Sequence, residues 1–201
     1  MHKDLTTEER ILAAARKIFQ QKGWAGARMQ EIADEAGINK ALLHYYFRSK
    51  EKMFERILDE AIRTFLPQLF GVWDGPGNIL EKIEQFVSEY ITFATENPFI
   101  PSFVLQELTV NPEKAERFRG MGFKPPKDKM MMEVMQGVEA GLIRPIHPID
   151  LILNLVSLCV FPVVARPMIQ GIMQIDDNTY SELLEARKKS VSEFVIRSLR
   201  P

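Results

Sequence analysis

Lys40, Ala41, His44 and Tyr45 recur at helical spacing in the stretch Gln30–Phe47. They form a cation, a residue small enough for close approach, an imidazole and a phenol on one face. That set suits the floor and walls of a nucleic-acid major groove. Leu42 and Tyr46 flank the same face. Leu43, with Tyr46 or Phe47, points the other way and is the anchor. An ordinary helical hairpin with a wet face is the competing reading of these residues alone.

These side chains need a second helix to hold theirs in place. Ile32, Ala33 and Ala36 share one helical face, and Gly37 follows at once. Glycine adopts the left-handed conformation that ends a helix. Asn39 is a strong N-cap for the next one. Two short helices around Ala33 and Gly37 cross steeply, as in a helix-turn-helix. Upstream, Thr6–Glu9 is a capping box that opens a helix running to about Gln21, stopped by Gly23. Ile11, Leu12, Ala15, Ile18 and Phe19 are its apolar stripe. Downstream, Ser49 caps a fourth helix. Lys50 in its first turn opposes the helix dipole, a conflict that a bound phosphate would remove.

Nothing in the chain suggests catalysis. The three histidines, His2, His44 and His147, have no nucleophile or metal-ligand motif near them, and no glycine-rich phosphate loop occurs. No cofactor and no metal site are expected. Cys159 is single and sits in an apolar run, so it reads as a buried small hydrophobe. The polar N-terminus does not resemble a signal peptide. The longest apolar run, 151–165, is shorter than the roughly 20 residues of a membrane span. A cytoplasmic protein without membrane partners is expected. Net charge is -1, unevenly spread: residues 1–50 carry nine Lys or Arg against six Asp or Glu, and the rest seventeen against twenty-one. A basic head on an acidic body suits a nucleic-acid-binding domain joined to a regulatory one.

The ordered stretch Arg10-Ile-Leu-Ala-Ala-Ala, Phe19, Gly23, Ile32-Ala-Asp-Glu-Ala-Gly-Ile and Leu43-His-Tyr-Tyr-Phe-Arg-Ser-Lys-Glu51 resembles the DNA-binding domain of the tetracycline-repressor (TetR) family. The match covers residues 8 to about 58. It implies an all-α chain, with a three-helix helix-turn-helix domain over 1–50 and a helical ligand-binding and dimerisation domain over 51–201. It also implies a homodimer built through the last two helices, a palindromic double-stranded DNA operator and a small-molecule effector. The family usually has Thr or Ser capping the second helix, where this chain has Ala27 and Arg28, so Arg28 is the candidate phosphate contact there. It usually has Tyr where His44 stands; Tyr45 and Tyr46 keep phenols available.

In the body, helical stripes run through Met53, Ile57, Ile62 and Phe65, with Pro67 kinking or ending that helix. Others run over 79–94, 99–109, 129–142, 150–172 with interruptions at Pro162 and Pro167, and 178–199. A helix start is expected at Asn111–Glu113 and a loop over 120–126. Phe86, Tyr90, Phe103, Gln106, Met131 and Met135 are the candidate lining of an effector cavity, and the effector is expected to be largely apolar. Leu151, Leu155, Leu158 and Phe194 are the candidate dimer contacts, because the last helices carry more apolar surface than one body needs. Two alternatives remain open: an architectural DNA-binding protein governed by a protein partner, and a helical lipid carrier that never touches DNA.

Overall fold

The computed structural model describes residues 6–110, 116, 120 and 126–201, and among them it is all helix and turn with no strand. Ten α-helices are described: α1 (Thr7–Gly26), α2 (Met29–Glu35), α3 (Lys40–Tyr46), α4 (Lys50–Gly71), α5 (Ile79–Glu96), α6 (Phe99–Val110), α7 (Lys127–Glu139), α8 (Pro148–Val164), α9 (Arg166–Met173) and α10 (Asp177–Leu199). The start expected at Asn111–Glu113 and most of the loop expected over 120–126 lie outside the described residues.

The head is built as its caps dictate. The Thr6 side chain accepts from the Glu9 N–H at 3.3 Å, and Glu9 returns a carboxylate oxygen to the Thr6 N–H at 2.7 Å. Gly23, at φ 67°, breaks the regular part of α1, and the chain winds on to Gly26. Ile11, Phe19, Ile32, Leu43 and Phe54 are fully buried where α1, α2, α3 and the start of α4 meet. Each such side chain contributes about 1.5–3 kcal/mol of burial. Gly37 takes φ 66°, a value that turns α2 into α3 and strains any residue with a Cβ. Arg10 fastens the corner by donating to the Ala36 carbonyl at 2.9 Å. On the far side, Arg16 pairs with Glu60 at 2.8 Å and ties α1 to α4.

α4 runs past Pro67 to Gly71, so Pro67 does not end it. The head is therefore joined to the body by one 22-residue helix. α5 forms the body's spine, packed against α4, α7, α8 and α10. The last carbonyls of α10 are capped by Arg144: its N–H donates to Leu199 O and its Nε to Ser198 O, both at 2.7 Å. No single helix among the described residues is long and apolar enough to cross a membrane.

Pro162, expected to interrupt its helix, lies within it. A proline inside a helix leaves the carbonyl four residues earlier without its N–H partner. Here that carbonyl belongs to Leu158, and Arg187 of α10 donates to it at 2.9 Å. The Pro162 carbonyl itself accepts from the buried Tyr180 hydroxyl at 2.6 Å. The chain turns only after Val164, bending 66° into α9, where Pro167 occupies the first turn and fits without conflict.

Candidate nucleic-acid interface and effector cavity

α3 starts at Asn39, whose side chain accepts from the Leu42 N–H at 2.8 Å. Leu43 is fully buried and Phe47 nearly so, which fixes the rotation of the helix. Lys40, Ala41, Leu42, His44, Tyr45 and Tyr46 are all left exposed. Tyr45 is 81% exposed, an unusual exposure for an aromatic side chain, and it meets Tyr46 edge-on at 5.5 Å. The His44 ring nitrogen Nδ1 lies 3.3 Å from the Arg48 carbonyl. With the proton on Nδ1, that bond leaves Nε2 outward as an acceptor.

At the start of α2, Arg28 stands exposed in the N-cap position. The cap is not lost with the missing Thr or Ser. Glu31 accepts the Arg28 N–H at 3.3 Å, which is the reciprocal half of a capping box. Lys22, 2.8 Å away, steadies Glu31, and this bond holds its carboxyl below the usual range. Arg28 has no acceptor of its own to offer the helix, so its guanidinium is free for another role.

Lys50 departs from expectation. Its ammonium is turned inward, donating to the carbonyls of Trp24 at 2.7 Å and Ala27 at 3.0 Å, over the Trp24 ring. Two carbonyls and a π-face resolve the conflict with the helix dipole, so no phosphate is needed for that purpose. At the same helix end, Glu51 accepts its own N–H and the Ser49 hydroxyl, which lowers its pKa. Lys50 is therefore a positioning residue of the α1–α2 corner rather than the phosphate grip its place in the sequence suggests.

In the body, a cavity of 330 Å³ lies between α4, α5, α6, α7 and α8. Phe86 and Tyr90 line it, as do Phe65, Phe93, Trp73 and Met130. The other four candidates do not. Phe103 meets Phe54 at 3.9 Å with the rings tilted by 37°, and Trp24 at 5.1 Å, at the junction with the head. Gln106, Met131 and Met135 face solvent. Within the run Met130–Met132, only Met130 turns inward. Burial raises the Tyr90 phenol to about 12, so it stays neutral. A more open, more polar hollow of 510 Å³ lies on the other side of the stacked Phe65–Phe93 pair. Its carboxylates and open mouth suit water better than an apolar ligand.

α6 faces two ways. Phe99 and Phe103 pack on Phe19, Trp24 and Phe54 of the head. Ile100, Pro101, Val104 and Leu105, on its other side, line the cavity. The sequence singled out Phe103 but missed Trp24, whose ring joins α1, α4 and α6. Its position one residue past Gly23 was the available signal.

The candidate dimer residues divide. Leu151 and Leu155 are buried within the chain against its own core. Leu158 is half-buried, and Phe194 is 64% exposed. Ile149, Leu153 and Phe161 are the exposed apolar residues of α8, joined by Leu183 of α10. The stripe exists, but one face round from Leu151 and Leu155.

Two family models match the chain. The model for bacterial regulatory proteins of the tetR family covers residues 11–65, and that for a tetracyclin repressor-like C-terminal domain covers residues 80–195. Among curated proteins, the HTH-type transcriptional repressor KstR2 of Mycobacterium tuberculosis is 30% identical over 149 residues, 71% of this chain and 72% of its own. The HTH-type transcriptional regulator RutR of Escherichia coli is 24% identical over 95% of this chain and 89% of its own. Among solved structures, a linker-substituted HlyIIR mutant superposes with TM-score 0.65 at 23% identity, covering 96% of both chains. The fatty acid degradation regulator FadR of Bacillus halodurans does so with TM-score 0.65 at 18% identity, over 96% of both chains.

Proposed function

This chain belongs to the tetracycline-repressor (TetR) family of bacterial regulatory proteins, and from that premise we propose that it is a homodimeric repressor released from a palindromic operator by a small, largely apolar effector. α3 is the reading helix. Lys40, Ala41, Leu42, His44 and Tyr45 face base edges or backbone, and Arg28 and Tyr46 approach phosphates. The second copy docks on the stripe of Ile149, Leu153, Phe161, Leu183 and Phe194, which places two reading helices about a two-fold axis. Operator and chain meet in the cytoplasm.

One observation carries the proposal: α6 is shared between the cavity wall and the aromatic junction with the head. A ligand that displaces Val104 and Leu105 displaces Phe103 with them. Phe103 bears on Trp24, and Trp24 holds the corner from which α2 departs. A small tilt of each head changes the spacing of two helices that must enter successive grooves. The cavity favours this sensor over an architectural protein, which has no use for a hollow of that size.

The test is selection of DNA by the purified full chain. A single inverted repeat with half-sites about one helical turn apart is the expected result. A pool with no shared motif would overturn the operator reading.

A further inference from the structure

Of the eighteen described residues that line the cavity, none has a formal charge, and only Trp73 and Tyr90 carry a polar N or O side-chain atom. The Trp73 Nε1 is buried, closed off from solvent and without a hydrogen-bond partner among the described residues. The Tyr90 hydroxyl makes no hydrogen bond to any described residue. Among the described lining residues it is thus the one polar side-chain group open to an incoming molecule.

Among the described residues, one buried cation touches this wall from behind. Lys82, 4% exposed, sits behind Trp73 and Phe86, with its ammonium 2.5 Å from Glu133 and 3.3 Å from the Trp73 carbonyl. Arg187, which is not among the lining residues, donates to the Leu158 carbonyl, and its Nε has no hydrogen-bond partner among the described residues. An ionised carboxylate entering this space would lose its hydration and meet no charged side chain among the described lining residues. A neutral acceptor loses far less and gains the Tyr90 O–H.

We infer that the cavity selects uncharged apolar molecules bearing one hydrogen-bond acceptor, an ester or ketone in preference to the free acid, with Tyr90 as the specificity-determining contact. The inference rests on the reading of this cavity as the effector site. It means that an acid can be sensed here only in a form whose carboxylate has been masked.

The experiment compares three probes of one chain length, methyl decanoate, decanoate and decane, at pH 8, where the acid is fully ionised. Trp24→Phe leaves Trp73 as the sole tryptophan, and its emission reports filling of the cavity. Calorimetry on the unaltered chain gives the same ranking should Trp24→Phe fold poorly. The ester is expected to bind at least about tenfold more tightly than the acid. Tyr90→Phe is expected to weaken the ester about three- to tenfold, as loss of one neutral hydrogen bond does, and to leave decane unchanged. Equal affinity of acid and ester would overturn the selection rule while leaving the cavity as a ligand site. Equal weakening of ester and decane by Tyr90→Phe would overturn the role of Tyr90. No binding of any probe would overturn the effector-site reading itself.

Discussion

The ammonium of Lys50 lies 4.6 Å from the centre of the Trp24 ring and 2.7 Å from that residue's own carbonyl oxygen. One side chain at the start of α4 thereby holds the corner where α1 gives way to α2. Lys50→Met should lower stability by about 1–3 kcal/mol, the range for charged hydrogen bonds, read from the urea midpoint. It should weaken operator binding without changing the slope of log K against log salt. A slope reduced by about 1 would instead place the ammonium on a phosphate.

Lys40 is the contrasting cation, exposed in the first turn of α3. If it reaches a base edge, Lys40→Ala should cost about 1–3 kcal/mol on the selected site and relax preference at one position per half-site. Competition binding against single-base variants of the operator reads this directly. An equal loss on the selected site and on random DNA would assign Lys40 to the backbone.

The two apolar faces of the last helices should respond differently to charge. Phe194→Glu alters an exposed side chain and should leave the helical circular dichroism intact while sedimentation shows monomers. Leu155→Glu places a carboxylate at a fully buried position and should prevent folding. A folded dimer from Phe194→Glu would move the interface elsewhere.

Lys82 is buried and pairs with the half-buried Glu133, so loss of one partner alone should be costly. Lys82→Met leaves Glu133 without its partner and should destabilise the body by about 1.5–3 kcal/mol. Adding Glu133→Leu should recover most of that, because two apolar groups need no counter-charge. Urea denaturation of the single and double variants measures the difference. No recovery in the double variant would mean that the pair holds α5 and α7 by geometry rather than charge balance.

Gly137 on α7 leaves no room for a methyl group. A Cβ there would lie 2.8 Å from Ile79 and 3.2 Å from Ile143. Gly137→Ala should lower stability by about 1–3 kcal/mol through overpacking, although alanine is the better helix former. A raised melting temperature would show that Ile79 and Ile143 yield at no cost.

The head was legible because its signals are local. Thr6 with Glu9, Gly37 before Asn39, and Ser49 each specify a helix end within four residues. The body was less so, because its decisions are made between distant residues. Pro162 reads as an interruption of its helix until Arg187, twenty-five positions on, supplies the missing donor. Leu151 and Leu155 were taken as dimer contacts, but periodicity does not say whether the chain's own core or a second copy covers a face, and here the core buries both. Phe103 and Gln106 were assigned to the cavity on residue type alone. The rotation of α6 that sends Phe103 to Trp24 is set by partners in the head.

The double duty of α6 has a consequence for the cell. If effector and operator favour different settings of one helix, each must weaken the other by the same factor, about 5- to 150-fold for couplings of typical size. A promoter-bound dimer would then be a poor sink for the effector, and the unbound pool a good one. Chains in excess of their operators would soak up the first molecules to appear. Induction would wait until that reservoir is filled, so the number of copies per cell would set the threshold as firmly as any residue in the cavity.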